Sequence, residues 1–202
     1  MNKSFDAKRI AELSIFIAIL FVMRLTGLSR IPVGPFVMTL TMVPIAIGAM
    51  MLGPLGGAIL GFIYGCISLY DAMSGSSAMT AVLFQVSPFH GIVLCVVTRT
   101  LVGWLTGELF RLFKKLDGKR LWCYFAGGLA APLLNTVLFM GYIVLVFYRT
   151  DYVQGMVEKL GATGPLMFVV LAVGVQGLIE WLTGCVVGGG VTKGLARALK
   201  RD

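Results

Sequence analysis

Four stretches of this chain carry no charged side chain: Ile31 to Tyr70, Ala72 to Thr98, Leu121 to Tyr148 and Leu160 to Ile179. Crossing a hydrocarbon core of roughly 30 Å takes about 20 helical residues at about 1.5 Å each, and each stretch is long enough. With 58% hydrophobic and 13% charged residues, the chain of 202 residues also lies outside the range of soluble domains. The apolar block that follows Lys8 and Arg9 runs to Leu28 without a small-residue cleavage site at the expected distance, so it is expected to stay as a helix.

The expected fold is an all-α membrane protein: a single domain, 1–202, in which six transmembrane helices form a bundle. The helices are placed at about 10–28, 38–52, 55–71, 86–113, 122–148 and 165–190. Six crossings return the chain to its starting side. With both termini cytoplasmic, the inner segments hold Lys3, Lys8, Arg9, Arg111, Lys114, Lys115, Lys119, Arg120, Lys193, Arg197, Lys200 and Arg201, which is 12 of the 17 basic residues. The positive-inside rule expects that bias. The net charge of +8 therefore reads as orientation in a bilayer and not as nucleic-acid binding. Leu52-Gly53-Pro54 punctuates the longest uncharged stretch and divides it into two short helices, the first able to tilt, bend at Pro44 or re-enter.

Gly53, Gly57, Gly61 and Gly65 recur every four residues and lay bare backbone along one face of the third helix. Such strips let helices approach closely in lipid, where no hydrophobic drive brings them together. On the first helix Ala11, Ser14 and Ala18 form a second small-residue face, suited to meeting another subunit.

Arg99 falls near the middle of the fourth helix, too deep to snorkel easily. Asn135 on the fifth helix and Gln176 and Glu180 on the sixth fall at comparable depth, and the last two share a face. A charge at the bilayer centre costs about 3 kcal/mol or more, so Arg99 and Glu180 are expected to face the bundle interior. Two readings follow. Arg99 and Glu180 pair as an internal strut, or the four groups line a water-accessible pocket in which Arg99 binds a substrate carboxylate and the amides bond its hydroxyl or amide groups. The segments Ala72 to Gln85 and Arg30 to Pro35 are longer or stiffer than tight turns and suit lids over such a pocket as well as plain connections. His90 is read as interfacial, Tyr64 and Tyr142 as deep enough to face a pocket, and Cys66, Cys95, Cys123 and Cys185 as packing residues.

Several chemistries find no residues here. There is no GxxxxGKS/T phosphate loop, no Ser/His/Asp set and no Cys/His spacing for a metal, so no enzyme activity, cofactor or metal is expected. No inverted repeat marks a self-sufficient secondary transporter.

The whole chain resembles the substrate-binding S components of the energy-coupling factor (ECF) vitamin transporters. The resemblance rests on the six-helix layout, the run Ser14-Ile15-Phe16-Ile17-Ala18, the segment from Gly48 to Gly57 (GAMMLGPLGG), and the basic inner ends of helices four and six. Ile31-Pro32-Val33-Gly34-Pro35, Val97-Thr98-Arg99 and Asn135-Thr136 are most similar to the pantothenate-type members. The resemblance implies an outward-facing pocket for a small water-soluble vitamin, closed by the first and third outer loops, in a protein of the plasma membrane. It also implies a transmembrane coupling subunit, which meets the first helix through an AxxxA-like face with Ser14 in place of the first Ala, and two cytoplasmic ATPases. Glu180 beside Arg99 is a departure for an anionic ligand and leaves open another vitamin such as folate. The readings from other classes are a membrane-embedded lipid or isoprenoid enzyme centred on Arg99 and Glu180, and a self-sufficient facilitator.

Overall fold

The computed structural model describes residues 7–28, 31–33, 36–38, 40–117 and 121–199, with side chains 31–39, 117 and 175 left aside. Lys3, Lys119, Arg120, Lys200 and Arg201, which entered the charge argument, lie outside the described residues, as do Arg30, Gly34 and Pro35 of the first loop. The chain is almost wholly helical. α1 is Ala7–Leu25, α2 Met42–Leu52, α3 Pro54–Met73 and α4 Ala78–Val86. α5 spans residues 88–117, with a π-helical turn at Val93–Val97. α6 is Trp122–Phe147, with π-helical turns at Thr136–Met140 and Ile143–Phe147. α7 is Asp151–Leu160, and α8 spans residues 165–198 with a π-helical turn at Gly184–Gly188. A small hairpin interrupts the helices between α1 and α2: Ile31–Val33 pairs antiparallel with Phe36–Met38.

Among the described residues three helices are long and apolar enough to cross a membrane: Pro54–Met73, Pro88–Leu116 and Trp122–Phe147. A fourth span results if Asp151–Leu160 and Pro165–Gly174, bent by 70°, count as one. α1 has the length but carries Lys8, Arg9, Glu12 and Arg24. α2 is only 11 residues, about 16 Å. Nine of those residues are buried, so α2 is a core helix enclosed by its neighbours and apolar on every side.

Besides the hairpin, which takes residue 38 out of the second helix expected at 38–52 and leaves that helix to start at Met42, two elements differ from the sequence expectation. The 72–85 segment is a turn followed by α4, because an apolar run (Ala78 to Val86) between Ser77 and Ser87-Pro88 buries Ala81 and Leu83 against the bundle. The connection after α6 holds α7, which starts behind Thr150 with Asp151 in its first turn and stops at Gly161 in the left-handed conformation. Its Val153 and Val157 join Leu83, Leu94, Ile143, Phe147 and Phe168 in one apolar cluster. Short amphipathic helices such as α7 leave no long apolar run in the sequence. Their stability comes from the face they bury.

The glycine strip on α3 packs against α5 at backbone contact. A Cβ on Gly57 would lie 2.2 Å from the carbonyl oxygen of Gly103, one on Gly61 2.2 Å from that of Arg99, and one on Gly65 2.8 Å from the Cα of Val96. The pairings run in opposite directions, so α3 and α5 are antiparallel. α6 meets α8 in the same way, with a Cβ on Gly128 falling 2.3 Å from the carbonyl oxygen of Gly184. Gly53 between α2 and α3 has φ 83°, the left-handed range open to glycine, which reverses the chain without a loop. The end of the bundle holding Leu25, Met73 and Phe147 is called the upper end below, and the end holding Ala7, Gly53 and Trp122 the lower.

Gly57→Val forces two backbones apart and is expected to lower unfolding stability in detergent by about 1–3 kcal/mol. Gly141→Ala, where a Cβ meets nothing within 4 Å, is expected to leave the melting temperature unchanged or slightly higher. Equal melting temperatures for the two variants contradict the close-packed α3–α5 seam.

Candidate functional site

The upper half of the bundle encloses a cavity of about 280 Å³. α3 and α5 form one wall, α6 and α8 the other, α1 and the start of α2 close the side, and Ser77, Met79 and Thr80 of the α4 segment reach its rim. All four residues singled out at membrane depth line it: Arg99, Asn135, Gln176 and Glu180.

Arg99 is 7% exposed, and its guanidinium carbon lies 4.9 Å from the Tyr64 ring centre and 4.6 Å from that of Phe139. Nη1 donates to the carbonyls of Leu94 and Cys95, at 3.3 and 3.4 Å, within the π-helical turn that precedes it. Two desolvated cation–π contacts contribute about 1–2 kcal/mol each. That is comparable to the cost of about 3 kcal/mol for a charge at membrane depth and leaves little surplus. Among the described residues Arg99 has no acidic partner, so the strut to Glu180 is not what holds it. The Glu180 carboxylate instead accepts from Gln176 Nε2 at 3.1 Å, one turn back on the same helix.

Among the described residues three buried side-chain atoms lack a protein hydrogen-bond partner: Thr41 Oγ1, Arg99 Nε and Asn135 Oδ1. All belong to residues lining this cavity. A buried polar atom left alone costs about 1–3 kcal/mol, and native structures hold few. Two acceptors and a cationic donor around one space suit a ligand that carries an anionic group and hydroxyls or an amide.

Arg24, Asp71, Thr41 and Ser68 also line the cavity and escaped the sequence analysis. Arg24 Nε donates to Asp71 Oδ1 at 2.8 Å, and Nη2 bonds the same oxygen, tying the upper ends of α1 and α3 together. A signal was available: Asp71 is the lone charge between two uncharged stretches, and Arg24 sits as far into α1 as Asp71 does into α3. Tyr64 faces the cavity as expected, whereas Tyr142 turns aside to bond His90 Nδ1 at 2.8 Å. Cys95 and Cys123 are buried, while Cys66 is exposed on the surface of α3. Ala11, Ser14 and Ala18 are exposed along α1, away from the cavity.

The site is unusual in its backbone. Arg99 follows one π-helical turn, Asn135 directly precedes another, and Glu180 lies one turn before a third. α8 is also kinked beside the cavity, at Gly174 with φ 45°. Such irregular turns shift carbonyls and side-chain directions, and they recur at functional sites.

The model of the ECF transporter substrate-specific component matches residues 8–187. The chain belongs to that family. It is therefore a transport protein of the cell membrane and not an enzyme. The pantothenic acid transporter PanT of Lactococcus lactis subsp. cremoris is 32% identical over 191 residues, covering 86% of this chain and 91% of that protein. The pantothenate transporter PanT of Leuconostoc mesenteroides subsp. mesenteroides is 33% identical over 117 residues, 54% of each chain. Among the described residues no group of three His, Cys, Asp or Glu side chains forms a metal site in this S component.

Asn135→Leu removes the unpartnered Oδ1. In the ligand-free protein it is expected to raise unfolding stability by about 1 kcal/mol. A destabilisation of that size or more means that Asn135 serves the fold.

Proposed function

We propose that this S component captures pantothenate from outside the cell in the upper cavity and delivers it inward with an ATP-driven module. The observation that carries the reading is the set of unpartnered polar atoms around Arg99, taken with the names of the two relatives. Pantothenate has a carboxylate at one end, an amide in the middle and hydroxyls at the other. Its carboxylate is set against Arg99, whose guanidinium is held by two rings and has Nε to spare. Asn135, Gln176 and Thr41 bond the amide and hydroxyls, and Glu180, already engaged by Gln176, accepts from a hydroxyl. The cavity volume lies near the lower end of the range for small-ligand sites, about 300–1,000 Å³, which suits a ligand of this size.

In this reading six passes cross the membrane and both termini are cytoplasmic. The basic residues at the lower end support that orientation. The exposed Ala11, Ser14 and Ala18 face meets a transmembrane coupling subunit, which two cytoplasmic ATPases drive. The hairpin Ile31–Val33/Phe36–Met38 and the α4 segment serve as the lid pair at the outer mouth.

Calorimetric titration of the purified chain tests the pocket. Arg99→Ala is expected to weaken pantothenate binding by at least about thirtyfold, the loss of one buried charge pair of 2 kcal/mol or more. Unchanged affinity removes Arg99 from the site, and absence of pantothenate binding by the unaltered chain overturns the ligand. Ser14→Leu/Ala18→Leu is expected to keep ligand affinity and abolish ATP-dependent uptake in liposomes that contain the whole module. Uptake at the unaltered rate refutes the partner face.

A further inference from the structure

A second cavity, of about 310 Å³, lies at the lower end of the bundle, among Arg9 of α1, Gly53, Arg111 and Lys114 of α5, and Tyr124 of α6. Its lining is basic from two sides. The Arg111 guanidinium lies over the bare backbone of Gly53, where a Cβ would come within 3.4 Å of Nη2. Lys114 and Lys193 bring their ammonium groups to 5.3 and 4.9 Å from the centre of the Tyr124 ring. Among the described residues the nearby carboxylates are Glu108, which bonds exposed Arg111 at 3.3 Å on the same helix, and Glu12, which lines the adjoining groove three residues after Arg9. Arg9 has no acidic partner among the described residues.

Beside this cavity runs an apolar groove of about 680 Å³ between α1, α2 and the end of α8. Met51 lines both. The groove follows α1 from Lys8 to Ile19, about 16 Å, past Ala11 and Ile15 and against Val191 and Leu195. Apolar residues facing lipid are ordinary in a membrane protein, so the groove alone identifies nothing. Its continuity with a recessed basic cavity does, because one molecule class has an anionic head and an apolar tail at that separation.

We propose that the lower end holds a site for an anionic phospholipid, its phosphate in the cavity between Arg9 and Arg111 and one acyl chain in the groove. Basic pockets between membrane helices on the positively charged side recognise such headgroups, each basic residue contributing about 1 kcal/mol. The site is separate from the upper cavity and independent of the vitamin assignment. Ala11 belongs both to the groove and to the small-residue face of α1. A lipid in the groove and a protein docked on that face exclude each other there, so the lipid occupies the unassembled chain.

The full chain, extracted in mild detergent and supplied with equal amounts of dioleoyl phosphatidylglycerol and dioleoyl phosphatidylcholine, is examined by native mass spectrometry. One phosphatidylglycerol is expected to be retained in preference to phosphatidylcholine. Arg9→Gln/Arg111→Gln is expected to reduce its retention by about thirtyfold. Lys115→Gln/Arg197→Gln removes equal charge from exposed positions outside the cavity and is expected to leave retention near that of the unaltered chain. Val191→Trp fills the groove, keeps every charge and is expected to weaken retention as well, which covers failure of the arginine variant to fold. Equal loss in the two charge variants assigns the effect to diffuse surface charge and overturns the site. Binding of inorganic phosphate without lipid overturns the lipid assignment. Lack of preference for phosphatidylglycerol, with loss of module assembly in the arginine variant, assigns the cavity to a protein contact and overturns it too.

Discussion

The contact on which the rest depends is the seam between α3 and α5, where Gly57 meets Gly103 and Gly61 meets the carbonyl of Arg99. Lipid offers no hydrophobic reward for bringing two apolar helices together, so association rests on dispersion at short range and on backbone approach. Glycines every four residues supply that approach on α3. Because Gly61 bears directly on the Arg99 backbone, the seam that holds the bundle also fixes the depth and direction of the cavity's cation. Tyr64, on α3 three residues beyond Gly61, then lies against the guanidinium. One packing decision thus sets a structural interface and a ligand-facing geometry together.

The cavity itself is built from departures from regular helix. The π-helical turns beside Arg99, Asn135 and Glu180, the kink at Gly174 and Pro132 within α6 each cost backbone hydrogen bonding that a straight helix keeps. In a membrane such irregularity is tolerated where protein or a polar cavity surrounds it. Of these irregular turns Thr136–Met140 lines the cavity directly, and among the described residues the cavity's lining also carries the three unpartnered polar atoms. Stability and ligand recognition pull in opposite directions there, whereas the apolar cluster of Leu83, Leu94, Phe147 and Phe168 and the glycine seams supply the compensating rigidity.

Much of this was legible from residue order. Four charge-free stretches required membrane helices, the glycine period named the face of α3 that packs, and polar residues too deep to reach water had to converge inside. Arg99, Asn135, Gln176 and Glu180 do converge. Arg24 and Asp71 were harder to see, because a charge near a span's end is read as a boundary, and only the parallel placement of α1 and α3 turns two boundaries into an ion pair. α4 and α7 were hidden for a related reason: nine or ten residues with a part-polar face resemble loop until their burial is known.

The sequence by itself determined that the chain lives in a bilayer, which residues cannot face lipid, and which helix faces are bare enough to touch, because hydrocarbon penalises charge and rewards close backbone packing residue by residue. Only the tertiary structure decided what those residues touch. It turned Arg99 toward Tyr64 and Phe139 and left it without an acidic partner among the described residues, set Glu180 against Gln176, and enclosed α2 as a core helix. Side-chain partners depend on how helices rotate and where their turns widen, and no spacing along one chain encodes the neighbour's rotation.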